Sequence, residues 1–169
     1  MSKIRFLLLA AVTAVIASGC NSSGCTDNQS SIPYAGFYSS EGAAISIDSL
    51  DISGVGAPGD SILYPSGQSL SKVYLPFRAQ HSSTAYCFHY TQKDLSDPAY
   101  NDTITFEYTS RPFFASEECG AMLEYVIGKV RFTRHVIEKV EVTDSIVTNT
   151  DLERIKIYFR TSTDSETEQ

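Results

Sequence analysis

The chain has 169 residues, of which 42% are apolar, 20% charged and 11% aromatic, with nine Phe and ten Tyr. That is ample material for a packed core, so global disorder, collagen and low-complexity architectures are excluded. A formal charge of -7 makes nucleic-acid backbones an unsuitable partner.

In chain order, Lys3 and Arg5 precede the apolar run from Phe6 to Ile16, and Ala17, Ser18 and Gly19 lead into Cys20. A basic start, a short apolar stretch and small residues form the three-part pattern of an export signal. The run falls short of the roughly 20 apolar residues that span a bilayer, and polar Asn21, Ser22 and Ser23 follow, so it reads as a signal rather than an anchor helix. Cys20, directly after Ser18 and Gly19, resembles the lipobox of bacterial lipoproteins, in which that thiol receives diacylglycerol and becomes the new N-terminus. Ala17 stands where Leu is usual in that pattern; an ordinary secretory signal cleaved near Ala17 is the alternative. Each buried acyl CH₂ contributes about 0.8 kcal/mol, and two or more chains give stable attachment. Residues 1–19 are therefore expected to be a signal peptide and 20–32 a lipidated N-terminus with a flexible Ser, Asn and Gly spacer. One domain is expected over 33–160, followed by a polar disordered tail over 161–169. Loss of Lys3 and Arg5 with the leader shifts the charge from -7 to -9.

Within the body the dominant signal is a period of two. Ile45 and Ile47 alternate with Ser46 and Asp48, and Tyr86, Phe88 and Tyr90 alternate with Cys87 and His89. The clearest case is Thr103 to Thr109, where Ile104, Phe106 and Tyr108 face one way and Thr105 and Glu107 the other. Such spacing predicts half-buried strands rather than helices. Further strands are expected over 62–64, 73–78, 121–127, 129–133, 137–143 and 154–160, with turns at 54–59, 66–67, 94–102 and 148–151. The fold class that follows is all-β: an antiparallel sandwich, immunoglobulin-like or similar, of about seven to nine strands.

Several apparent motifs have plainer readings. Gly54, Gly56 and Gly59 match GxGxxG, but Pro58 and Asp60 lead into another strand-like stretch instead of the helix a phosphate site needs, so a glycine-rich turn is expected. No GxSxG elbow appears, and Glu117 and Glu118 are adjacent, so they cannot flank one bond from a strand. Lys129, Arg131, Arg134, His135 and Lys139 form the one basic cluster; Lys129 and Arg131 are expected on the wet face of the strand that buries Val130 and Phe132. Tyr86, Tyr90 and Tyr108 share registers with Phe88 and Phe106 and belong to the core. No CxxC occurs, and His81, His89 and His135 lack ligand spacing with the thiols, so neither a metal nor a cofactor is expected.

An exported protein meets an oxidising compartment in which disulfides persist. With Cys20 acylated, one pair can form among Cys25, Cys87 and Cys119. Cys25 with Cys119 would clip the segment after the lipid onto the body, and Cys87 with Cys119 is the rival. A loop of the first length could contribute about 4 to 5 kcal/mol in the chain-entropy model. Asp, then Ser or Thr, then an aliphatic residue recurs at Asp48 to Leu50, Asp60 to Ile62, Asp102 to Ile104 and Asp144 to Ile146. The tripeptide resembles the acceptor pattern for O-glycosylation of exported Bacteroidetes proteins, which would place sugars on Ser49, Ser61, Thr103 and Ser145. Turn-to-strand chemistry gives the same pattern without modification.

The stretch Phe113-Phe114-Ala115-Ser116-Glu117-Glu118-Cys119-Gly120, with Ile137, Val140, Asp144 to Asn149 and Ile155 to Phe159, resembles an uncharacterised family of Bacteroidetes-type lipoproteins, a domain of unknown function. Cys25-Thr26-Asp27-Asn28 is similar to its N-terminal pattern, and the resemblance spans nearly the whole mature chain. It implies a lipoprotein and a role for Cys25 and Cys119, leaves Cys87 outside the pattern, and supplies no catalytic or binding residues. The expectation is a lipid-anchored cell-envelope protein of a Gram-negative bacterium, at the outer membrane facing periplasm or cell surface. It is read as a non-catalytic binding or assembly module whose partner is an envelope protein or a glycan. An envelope hydrolase acting on glycan or peptidoglycan is the alternative.

Overall fold

The computed structural model describes residues 30–58 and 61–161. Cys20 and Cys25, and with them the expected lipid attachment and one end of the expected disulfide, lie outside the described residues, as do Gly59, Asp60 and residues 162–169 of the expected tail.

Among the described residues ten strands follow in chain order: β1 (Tyr34–Ser39), β2 (Leu50–Gly54), β3 (Ile62–Tyr64), β4 (Lys72–Tyr74), β5 (Ser83–Tyr90), β6 (Asp102–Ser116), β7 (Gly120–Phe132), β8 (Ile137–Val142), β9 (Ile146–Val147) and β10 (Glu153–Phe159). A short 3₁₀ turn spans Pro98–Tyr100 between β5 and β6. The strands form two sheets, β4-β1-β10-β8 and β3-β2-β5-β6-β7-β9. The all-β sandwich expected from the alternation is the architecture observed, with one pairing of a different sense: β1 and β10, near the two ends of the chain, run parallel.

The core lies between the sheets. In β5, Thr84, Tyr86, Phe88 and Tyr90 are buried while their neighbours are half-exposed, and β6 begins the same way with Asp102, Ile104, Phe106 and Tyr108. The opposing sheet contributes Ala35, Phe37, Val73, Ile137, Ile155, Ile157 and Phe159. Phe37 meets Phe159 edge to face at 5.1 Å, and Phe77 stacks on Tyr108 at 4.2 Å. Burying each such side chain contributes about 1.5–3 kcal/mol, so the shared apolar core of the two sheets is a principal reason that they stay together.

Three expected elements differ. Ile45 to Asp48 is not a strand; only the isolated bridges Tyr38 to Ala44 and Ile47 to Leu70 form there, while Ile45 and Ile47 pack on the core from a loop. The stretch from Val73 to Arg78 is a strand only to Tyr74; the Leu75 N–H still bonds the Pro33 carbonyl at 2.9 Å, and Pro76 then has no N–H for a ladder, although Leu75 and Phe77 remain buried. The two strands expected at 121–127 and 129–133 are one, since Gly128 occupies a register shift between Glu107 opposite Lys129 and Tyr108 opposite Ile127. A bulge absorbs the glycine without ending the strand. Beyond Tyr108 and Tyr125 the β6–β7 hairpin projects past β5, and Phe114 near its tip is 68% exposed.

Candidate functional site

Among the described acceptor candidates, Ser61 and Ser145 are exposed while Ser49 and Thr103 are half-buried, and the four are spread over the molecule. Ser49, Ser61 and Ser145 immediately precede β2, β3 and β9, and Thr103 is the second residue of β6. Asp144 makes the turn chemistry explicit: its Oδ1 accepts from the Ile146 N–H at 2.9 Å and opens β9. Glu117 and Glu118 are exposed in the β6–β7 turn, where Gly120 takes a φ of 71°. The basic cluster is dispersed rather than convergent. Arg131 pairs with Glu107, Arg134 lies over the Phe132 ring, and Lys139 pairs with Glu141. Cys87 carries a free thiol and Cys119 does not, so the rival pairing of the two is not made. Burial, and then the nearby Asp102 charge, push the Cys87 thiol above its ordinary pKa, which keeps it protonated and a poor nucleophile.

Two clusters of tyrosine and carboxylate stand out. The first is internal. Asp102 is fully buried, and its two oxygens accept five hydrogen bonds. Oδ2 takes the Tyr90 hydroxyl at 3.0 Å and the Val136 and Ile137 N–H groups at 2.8 Å. Oδ1 takes the Thr133 hydroxyl at 2.7 Å and the His135 N–H at 2.9 Å. The carboxylate thus clasps 133–137, where the chain leaves the six-stranded sheet for β8. Burial, helped by the Asp102 charge, drives the Tyr90 phenol far above its usual pKa. His89 and His135 reach Asn101 through Nδ1, at 3.0 Å to its side chain and 2.8 Å to its carbonyl. Every strong acceptor position of Asp102 is already filled, so this cluster is a structural joint.

The second cluster is on the surface, on the outer face of the four-stranded sheet. Residues 35, 37 and 39 of β1 point into the core, which turns Tyr34, Gly36 and Tyr38 outward. By the same alternation β4 presents Lys72 and Tyr74, β10 presents Lys156 and Tyr158, and β8 presents Lys139 and Glu141. Cross-strand register brings them together: Tyr34 faces Tyr74, Tyr38 faces Tyr158, and Gly36 lies between Lys72 and Lys156. The ring pairs sit 5.5 and 5.6 Å apart, tilted by 38° and 34°. Lys72, Lys156 and Lys139 place their ammonium groups 5.0–5.2 Å from the centres of Tyr34, Tyr38 and Tyr158.

Carboxylates fix the rings. The Tyr38 hydroxyl donates to Glu153 at 2.7 Å, Tyr74 to Asp151 at 2.8 Å and Tyr158 to Glu141 at 3.3 Å. The bond to Glu153, reinforced by partial desolvation, raises the Tyr38 pKa to about 12, and the bond to Asp151 raises that of Tyr74. Glu153 itself fills the hollow above Gly36, where a β-carbon would land on its carboxylate. The result is a half-exposed platform of four oriented rings carrying three ammonium groups and three carboxylates. The three core tyrosines were legible in the sequence, whereas these four were missed. The signal was present as the spacings Tyr34-x-Gly36-x-Tyr38, Lys72-x-Tyr74, Lys139-x-Glu141 and Lys156-x-Tyr158, each with the opposite phase to an apolar set.

Among the described residues no group of three His, Cys, Asp or Glu is placed to hold a metal ion, and no helix is long and apolar enough to cross a membrane. The model of a family of unknown function, DUF6452, matches residues 49–159. No curated protein and no solved structure matches the chain.

Proposed function

The chain belongs to the DUF6452 family, which brings no activity with it, and from the molecule's own chemistry we propose a non-catalytic binding module tethered by lipid to the cell envelope. The tyrosine platform is the observation that carries the binding role. Three of its four rings, Tyr38, Tyr74 and Tyr158, are already held by hydrogen bonds to carboxylates, so a ligand would meet them with little further ordering cost. The chemistry is that of recognition, since the carboxylates that bond Tyr38 and Tyr74 hold both phenols above their ordinary pKa and so protonated.

The tether rests on the order Lys3, Arg5, Phe6 to Ile16 and Cys20. Pairing of Cys25 with Cys119 fits it. Ser30, Ser31 and Ile32 line one groove with Glu118 and Cys119. Four residues lie between Cys25 and Ser30, five backbone steps with a reach of up to about 17 Å.

A photo-crosslinking amino acid placed at position 72 or 139 in native envelopes tests the reading, with fatty-acid labelling as its second arm. A discrete adduct, with label lost in Cys20→Ser, is expected. No adduct at either position would remove the binding role, and unchanged label in Cys20→Ser would remove the tether. Intact mass of the same material tests glycosylation at Ser49, Ser61, Thr103 and Ser145, each sugar adding a hexose-sized increment.

A further inference from the structure

We propose that the outer face of β4-β1-β10-β8 is a binding site for an uncharged, hydroxyl-rich glycan chain, an inference that rests on the binding role given above and names its ligand class. The face of a sheet offers no free backbone groups, because the ladder uses them, so an occupant here is held by side chains alone and strand addition is ruled out. What those side chains present is unusual in its mixture: flat ring surfaces for apolar C–H faces, carboxylates that accept from hydroxyls, and ammonium groups that donate to them. A sugar ring carries that same mixture, with C–H groups on its faces and hydroxyls around its rim.

Charge narrows the class. Glu141, Asp151 and Glu153 balance Lys72, Lys139 and Lys156 across the platform, and the chain as a whole carries -7. A polyanion would meet three carboxylates and the field of an acidic protein. A lipid tail would have to cover charged groups at every ring. An uncharged polyol pays neither cost.

Size narrows it further. Tyr34 and Tyr38 are four residues apart on β1, roughly 13 Å at the rise of a strand. Two ring pairs at that separation, with the Gly36 hollow and Glu153 between them, match an extended oligosaccharide that stacks at both ends and hydrogen-bonds in the middle. The lysine contacts with the rings are exchangeable surface contacts. On binding, the ammonium groups move off the ring faces and donate to the sugar hydroxyls that replace them.

The test uses the lipid-free full-length body, secreted from a Cys20→Ser chain, on an immobilised panel of neutral oligosaccharides (β-glucan, α-mannan and chitin fragments) beside anionic heparin and polygalacturonate. Retention on at least one neutral chain is expected. It should fall at least tenfold in Tyr38→Ala/Tyr158→Ala, survive in Tyr38→Phe/Tyr158→Phe, and change less than twofold with 0.5 M salt. Thermal melting of each variant separates loss of the platform from loss of the fold, and Tyr34→Ala gives an independent truncation at the other ring pair. Retention on anionic chains only, on no chain at all, or equally by wild type and both ring-truncated variants would overturn the proposal. A protein adduct from positions 72 and 139 together with an empty panel would overturn the glycan while leaving the binding role intact, whereas no adduct and an empty panel would remove both.

Discussion

Tyr90 with Asp102 and Tyr38 with Glu153 are chemically the same pair, a phenol donating to a carboxylate, yet they do opposite things. Inside the sandwich Asp102 is surrounded by five donors, three of them backbone N–H groups of the crossing between the sheets. A buried charge in low dielectric is tolerable only when so saturated, and once saturated it holds structure and nothing else. On the outer face Glu153 accepts from one phenol and sits over a glycine with solvent beside it. Its remaining acceptor positions are available to a ligand. Burial, rather than residue type, divides the joint from the platform.

The largest expected effect is at the joint. Asp102→Ala would strand three backbone N–H groups and two hydroxyls in the core and should cost on the order of 3–5 kcal/mol of stability, measured by denaturant unfolding. A loss below about 1 kcal/mol would mean that the clasp around 133–137 is not the joint described. Next comes the matched pair of phenol deletions. Tyr90→Phe should cost about 1.5–3 kcal/mol because a charged acceptor loses a buried donor. Tyr38→Phe, at the surface, should stay within roughly 0.5 kcal/mol. Equal costs would erase the comparison.

A third effect is on ionisation. The Tyr38 pKa, raised from 10.0 to about 12 mainly by its bond to Glu153, is higher in the folded than in the unfolded chain. The bond therefore stabilises the fold fully below pH 10, and that contribution is lost as the pH rises toward 12. Gly36→Ala should evict the Glu153 carboxylate, a movable side-chain end, and bring the Tyr38 transition down toward its ordinary value in a phenolate absorbance titration. An unmoved transition would show that Glu153 does not hold the ring. The smallest effect is Lys139→Ala: its pair with Glu141 is solvent-exposed, so the melting midpoint should not change measurably, and a clear drop would assign the platform a structural role.

Much of the fold was legible because strands bury every second residue. The phase of Ile104, Phe106 and Tyr108, and of Ile155, Ile157 and Phe159, fixed both the strands and the face turned inward. The misreadings arose where the same alternation lacked a partner to pair with. Ile45 and Ile47 obey the period but meet only isolated bridges, and Leu75 and Phe77 obey it across a proline that cannot donate. Gly128 looked like a break and is a bulge, since only the opposite strand decides which. Asp102 was read as part of a tripeptide at a strand start, which is correct locally. Nothing local revealed that residues 133–137 would converge on it.

By itself, then, the sequence determined the class of structure, the dry and wet faces of most strands, the acidic charge and the basic, apolar and small-residue order ending at Cys20 on which the proposed tether rests. The tertiary structure decided which wet faces became neighbours. A period of two says which side of a sheet a residue occupies but not which strand lies beside it, and the parallel pairing of β1 with β10 joins residues more than a hundred positions apart. That pairing sets Tyr38 beside Tyr158 and Gly36 beside Lys156, and so builds the platform from side chains that were separately unremarkable.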